Sequence, residues 1–187
     1  MTWWRGDALP ELPRISGLSV GRCCDDAEMA LLQGSMDGVV AARCAAGNVP
    51  YVARINGEPA AYVWVGRRVS HLGQLGLSFE LPEDQRYLWD FCLLEAGRSL
   101  PIRGQVLQAV IEREKAERVW AAVRPQEAAE FERGGFSAAG QLYRGDGAAR
   151  LACAVESERS VALAELVGLT PSFAASVKSA RTAGVAA

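Results

Sequence analysis

The chain has 187 residues, 50% of them hydrophobic and 22% charged, with a formal net charge of −2 and a single histidine, His71. That length suits one domain, or one domain with an appendage, and the balanced composition argues against global disorder. The near-zero charge argues against a dominant nucleic-acid or anionic-membrane surface, and a lone histidine excludes a multi-histidine zinc site.

Residues 1–14, with Trp3, Trp4, Pro10 and Pro13, read as an irregular lead-in. Ile15–Cys23 alternates as a first strand. Asp25 and Asp26 cap a helix through Leu32, and a second helix is predicted over Asp37–Ala46, ending at Gly47-Asn48. Tyr51–Ile55 and Pro59–Val65 are rich in strand formers and flank Asn56-Gly57, a dipeptide suited to the positive φ angles of a two-residue hairpin. Gly66–Ser78, punctuated by Gly73 and Gly76, reads as a looser connection.

Tyr87–Leu94 is a nearly continuous apolar run, which suits a strand covered on both faces. A helix follows, with Ser99 as N-cap, Pro101 in the first turn, and Ile102, Val106, Ala109 and Val110 as its apolar stripe, ending near Glu117. Arg118–Arg124 reads as a short buried strand and Glu127–Arg133 as a short helix stopped by Gly134-Gly135. Phe136–Tyr143 and Ala149–Val155 read as two closing strands joined by Gly145-Asp146-Gly147. Residues 158–187 shift towards Ala, Ser and Val and read as two short helices broken at Gly168–Pro171, with a frayed end. A hairpin ahead of a strand–helix–strand unit requires a mixed sheet, so the fold class predicted is α/β with a mixed sheet.

The cysteines Cys23, Cys24, Cys44, Cys92 and Cys153 are odd in number and lack C-x-x-C spacing, which suggests neither a disulfide framework nor a zinc knuckle. The start lacks the apolar core of a signal peptide, and no run of about 18 uncharged apolar residues occurs. The expectation is a reduced, cytoplasmic protein with no membrane span and no metal.

This order of elements resembles the GNAT N-acetyltransferase superfamily over roughly residues 15–157. The family signature R/Q-x-x-G-x-G/A is matched by Arg98-Ser99-Leu100-Pro101-Ile102-Arg103, followed by Gly104. Arg118–Pro125 and then Phe131-Glu132-Arg133-Gly134-Gly135-Phe136 resemble the family's fifth strand and its Y-E-R-x-G-F helix terminus. Leu88-Trp89-Asp90-Phe91 is similar to an L-W-D-F run in a bacterial subgroup.

The resemblance implies a GNAT-like domain over 15–157, preceded by the lead-in 1–14 and followed by the extension 158–187. It implies acetyl-coenzyme A as co-substrate, a pantetheine arm lying between the fourth and fifth strands, and pyrophosphate at the N-terminus of the helix after the fourth strand. Unpaired amides and the positive dipole end favour an anion there. The residues carried over as cofactor-binding are Leu93, Leu94, Arg98, Ser99, Leu100, Pro101, Ile102, Arg103, Gly104 and Phe131. An amine acceptor, of small-molecule or peptide origin, then attacks the thioester.

Three residues depart from the pattern. Pro101 removes an amide donor, and Arg103 puts a long side chain where the family keeps a small one. Phe131 replaces a tyrosine that protonates the leaving thiolate. Asp90 is the candidate base, since desolvation inside an apolar strand would raise its pKa; a structurally bonded buried carboxylate is the alternative. His71 lies in the segment that borders the acceptor site in the family, and is the second catalytic candidate. Trp64, Trp89 and Trp120 fall on three strands expected to be adjacent, as core filling or as the floor of an acceptor pocket. Ala164–Thr170 is faintly similar to a helix-turn-helix, but Arg159, Lys178 and Arg181 are the only cations near it, so a packing or dimer-forming appendage is expected rather than DNA reading. Two readings follow: an acetyl-coenzyme A-dependent N-acetyltransferase, or a catalytically weak GNAT-fold module for ligand or protein binding.

Overall fold

Asp25 shows how directly the sequence punctuates the chain. Its side chain accepts from the amides of Ala27 (2.9 Å) and Glu28 (3.1 Å) and starts a helix that Gly34 ends in the left-handed conformation. In this computed structural model, residues 1–36 and 38–173 are described. Their elements are, in order, β1 (Thr2–Trp4), β2 (Leu18–Arg22), α1 (Asp26–Gln33), α2 (Val39–Ala45), β3 (Val49–Ile55), β4 (Glu58–Gly66), β5 (Val69–Leu72), β6 (Leu77–Glu80) and β7 (Gln85–Leu93). They continue as α3 (Arg103–Glu114), β8 (Arg118–Ala121), α4 (Ala128–Arg133), β9 (Gln141–Gly145), β10 (Ala148–Cys153), α5 (Glu158–Val167) and β11 (Pro171–Phe173).

The chain divides into two compact units, Met1–Val69 with Leu81–Ser137, and Ser70–Glu80 with the described residues from Ala138 onward. The first holds a six-stranded sheet in the order β1-β8-β7-β4-β3-β2. Only β7–β8 is parallel; the other pairs are antiparallel. Alternation along the strands sorts the core. Tyr51, Ala53, Ala61, Val63 and Val65 face Ile102, Val106, Leu107 and Val110 beside α3, with Phe131 of α4. The intervening Val52, Tyr62 and Trp64 face Met29 of α1 and Val40 of α2. The β3–β4 hairpin turns on Asn56 (φ 52°) and Gly57 (φ 90°), the expected two-residue turn.

The second unit holds a three-stranded sheet, β11-β10-β9, and the β5–β6 pair. β9 and β10 form a hairpin across Asp146 (φ 51°) and Gly147 (φ 80°). The α5 helix, capped by Ser157 whose Oγ accepts from the Ser160 amide at 3.2 Å, leads to β11, parallel to β10.

Several expectations need correction. Thr2–Trp4, expected to be irregular, is an edge strand antiparallel to β8, with Thr2 bridged to Ser137. The looser segment 66–78 contains β5 and part of β6. The closing strands, expected over Phe136–Tyr143 and Ala149–Val155, run over Gln141–Gly145 and Ala148–Cys153. Ser99 does not cap α3: the amide of Leu100 bonds Gly97 O (3.1 Å) and that of Ile102 bonds Leu100 O (2.9 Å), so the chain turns twice before the helix begins at Arg103. Pro101 favours an extended residue before it, which delays the helix past Leu100. Residues 171–173 are a strand, where the second C-terminal helix was expected to follow. The expected helix start at Asp37 and the remainder of the tail, 174–187, lie outside the described residues.

Candidate active site

β7 and β8 pair from Gln85↔Arg118 to Leu88↔Ala121 and no further, although β7 runs on to Leu93. The parallel strands therefore separate at the end that leads into α3. Beyond the separation β7 carries a bulge: Trp64 pairs with Trp89 and Tyr62 with Cys92, so one extra residue is accommodated on β7. Asp90 sits there with φ 51°, a strained value for a residue with a side chain. The helix that follows has Ile102 at its N-cap position with no side-chain cap, and the amides of Arg103, Gly104 and Gln105 have no acceptor within the helix.

The carried-over cofactor residues divide by environment. Arg98, Ser99, Leu100 and Pro101 are exposed, and Arg98 pairs with Glu95 at 2.9 Å. Ile102 is fully buried in the core, and Leu93 packs against that same core while Leu94 packs on the opposite face. Gly104 is buried where a Cβ would come within 2.9 Å of Leu12 Cδ1, so its smallness serves the lead-in that crosses α3. Gln105 and Gln108 hold that lead-in by donating to Pro13 O (2.7 Å) and Pro10 O (2.8 Å).

Arg103 turns away from solvent. Its guanidinium lies 4.6 Å from the Phe91 ring centre on β7 and 5.8 Å from that of Phe131 on α4. It is paired with Glu130 (2.6 Å) and Glu127 (3.6 Å), and the side chain is 11% exposed. Phe91 and Phe131 also meet edge to face at 6.4 Å, and Phe131 meets Phe136 at 5.5 Å. These contacts join the free half of β7 to α4, the helix that follows β8. Glu127 also pairs with Arg124 at 2.7 Å, and that hydrogen bond is the main reason its carboxyl lies below the usual range.

On the other face, Asp90 accepts from Arg43 of α2 at 2.8 Å. Its side chain is 35% exposed, so the expected burial inside an apolar strand does not occur: the bulge lifts it to the surface. Arg43 stacks over Trp89 (4.6 Å) and Trp64 (5.2 Å), which stack on each other at 5.7 Å, and it also bonds Gln33. Trp64 Nε1 donates to Gln33 Oε1 (3.1 Å) and Trp89 Nε1 to Asn48 Oδ1 (3.3 Å). Burial first, then the nearby Asp90 charge, pushes the Tyr62 hydroxyl well above its usual pKa. His71 belongs to the second unit, where its Nδ1 lies 2.8 Å from Ser78 Oγ.

Sequence reasoning missed two participants. Arg43 carries no functional signal in the sequence; only the fold sets it over two tryptophans and against Asp90. Glu114 ends α3, where the side chains of Arg22, Arg67 and Arg86 and the Tyr51 hydroxyl all donate to its carboxylate.

The residues present fit a coenzyme A thioester in part. The separated strands and the uncapped first turn of α3 suit a pantetheine arm and a pyrophosphate. The Arg103 side chain does not, because it lies against Phe91 on the free half of β7, already paired with Glu127 and Glu130.

No protein-family model matches the chain, and no curated protein matches its sequence. Solved structures do. A transcriptional regulator from Bacillus halodurans is similar at 16% identity with a TM-score of 0.50, over 68% of this chain and 97% of that one. An acetyltransferase from Trypanosoma brucei is similar at 16% identity with a TM-score of 0.48, over 69% and 99%. A predicted acetyltransferase with acetyl-CoA from Clostridium acetobutylicum is similar at 11% identity with a TM-score of 0.44, over 65% and 90%. The fold is mixed α/β of the GNAT type: a strand, two helices, a hairpin, then a strand–helix–strand centre whose parallel strands part.

Among the described residues, no helix is long and apolar enough to cross a membrane, and no group of three or more His, Cys, Asp or Glu could hold a metal ion.

Proposed function

We propose that the chain is an acetyl-coenzyme A-dependent N-acyltransferase acting on the amine of a small molecule or peptide. The observation that carries this reading is the parallel β7–β8 pair parting after Leu88 and Ala121, next to a helix whose first-turn amides lack acceptors. A thioester whose carbonyl lay in that gap would meet an amine arriving beside the β7 bulge. The new N–C bond forms as the C–S bond breaks, and the sulfur leaves with the electron pair. Phe131 has no proton to give, and a thiol of pKa about 8.5 leaves as thiolate without one. Asp90, or a water it holds, takes the proton released by the ammonium; Arg43 already occupies one carboxylate oxygen and leaves the other for this role. The unpaired amides of Arg103, Gly104 and Gln105 orient the phosphates by backbone contacts.

The same reading assigns residues 15–157 to catalysis and 158–187 to packing or a homodimer contact, with no nucleic-acid partner. The free cysteines Cys23, Cys24, Cys44, Cys92 and Cys153 suit a reducing, cytoplasmic setting. The alternative, a binding module without turnover, is favoured by one observation, the Arg103 side chain held against Phe91 and Glu130 beside the free half of β7.

Calorimetry with acetyl-coenzyme A, followed by thiol release across a panel of amines, separates the two. The transferase reading expects saturable binding and release above background with at least one amine. Asp90→Asn is expected to lower kcat about 100-fold. No binding at millimolar ligand overturns the coenzyme reading. Binding without turnover leaves the module, and an unchanged kcat in Asp90→Asn makes Asp90 structural.

A further inference from the structure

The first unit holds two clusters of charged side chains, one around Glu114 and one around Arg103. Glu114 is 1% exposed beneath three arginines; taking any partner from it strands a buried charge. The Arg103 cluster is built differently. Glu130 is 38% exposed and Glu127 has a second cation in Arg124. If Arg103 left, Glu127 would keep a partner at 2.7 Å and Glu130 would be hydrated, so no charge would be stranded. Arg103 is also the first residue of α3, beside the amides that have no acceptor in the helix.

We infer that Arg103 is a latch on the channel between β7 and β8, closed by Glu127 and Glu130 and drawn open when a pyrophosphate replaces those carboxylates as its partner. This rests on the coenzyme reading above and adds a regulation to it. In the closed position the guanidinium stacks on Phe91 and reaches Glu130, tying the free half of β7 to α4. A pyrophosphate at the α3 N-terminus offers Arg103 two or more negative charges with bidentate geometry, against carboxylates that are partly solvated. The side chain then changes role, from plug to phosphate ligand. The apparent affinity for coenzyme is the intrinsic affinity reduced by the fraction of open latch. A small residue at this position would bind coenzyme with no such gate; arginine makes occupancy depend on the acidic face of α4.

The test measures coenzyme A binding to the full chain by calorimetry for the wild type, for Glu130→Gln and for the Glu127→Gln/Glu130→Gln double variant. Thermal unfolding of each checks that the fold is retained. Glutamines weaken the closed position but leave Arg103 free for phosphate. The latch expects affinity to rise about tenfold in the double variant, and by less in Glu130→Gln. Control Glu114→Gln should lower the unfolding midpoint without tightening coenzyme. Affinity that is unchanged or weakened in the double variant overturns the latch and leaves the coenzyme reading standing. Absence of binding in the wild type and in both open variants overturns the two together.

Discussion

Glu114 takes hydrogen bonds from Arg67, Arg86, Arg22 and Tyr51, with side-chain partners drawn from β2, β3, β7 and the turn after β4. Burial by itself would raise its carboxyl pKa, but the bonds from Arg67, Tyr51 and Arg86 outweigh it and bring the value from 4.5 to about 2. The folded value lies below the unfolded one, so the stabilisation is fully present above pH 4.5 and is lost as the pH falls towards 2. The difference corresponds to about 3 kcal/mol. Glu114→Gln is expected to lose about 3 kcal/mol at pH 7, since it leaves arginines without their anion. It should also flatten the fall in stability across the acid range, which urea unfolding as a function of pH would show. A wild-type stability that does not change below pH 4.5 would remove this account. Nothing in the sequence marked Glu114, because its partners lie 28 to 92 residues away and meet only once α3 is laid across the sheet. Arg103 was visible as a departure from a motif; which way it points was not, since Phe91 comes from β7 and Glu127 and Glu130 from the segment after β8.

At the level of elements, the hairpins and helix ends were legible because short-range chemistry sets them. Asn56-Gly57 and Asp25 needed no tertiary partner. The start of α3 was not legible, since two backbone turns over 97–102 compete with a serine cap and win through contact with β4. Gly97 shows that contact: a Cβ there would lie 2.2 Å from Ala60 O and 2.8 Å from Ile102 Cδ1. The backbone of β4 cannot yield, whereas the neighbour of Gly104 is the flexible end of Leu12. Gly97→Ala should therefore cost about 3 kcal/mol in urea unfolding. Gly104→Ala should change stability by less than about 1 kcal/mol, because a gain in helix propensity offsets the crowding. Equal effects at the two positions would count against this view of the loop. The bulge in β7 was equally hidden, since an apolar run does not reveal where one strand carries an extra residue.

For the molecule as a whole, the order of elements was readable and their assembly was not. Residues 1–14 were expected to be an irregular lead-in, yet Thr2–Trp4 pairs with β8 as an edge strand. Thr2 is fully buried and bonds Val119 O at 3.1 Å, and Trp3 is 8% exposed against the α3 core. Trp3→Ala should cost about 4 kcal/mol and Trp4→Ala about 1 kcal/mol in chemical denaturation, in keeping with alternation along β1. A small effect at Trp3 would mean that the edge strand adds little to the fold. The sequence by itself determined the mixed α/β class, the strand–helix–strand centre, the turns and the departures at Pro101, Arg103 and Phe131. These follow from periodicity, from residues whose backbone preference is local, and from comparison with a motif. Only the tertiary structure decided which strand fills the sheet edge, that Asp90 stands on a bulge beside Arg43, and that Arg103 ties Phe91 of β7 to Glu130 of α4. Those outcomes depend on groups distant in sequence competing for the same space and the same charges, and that competition is settled only when the chain is folded.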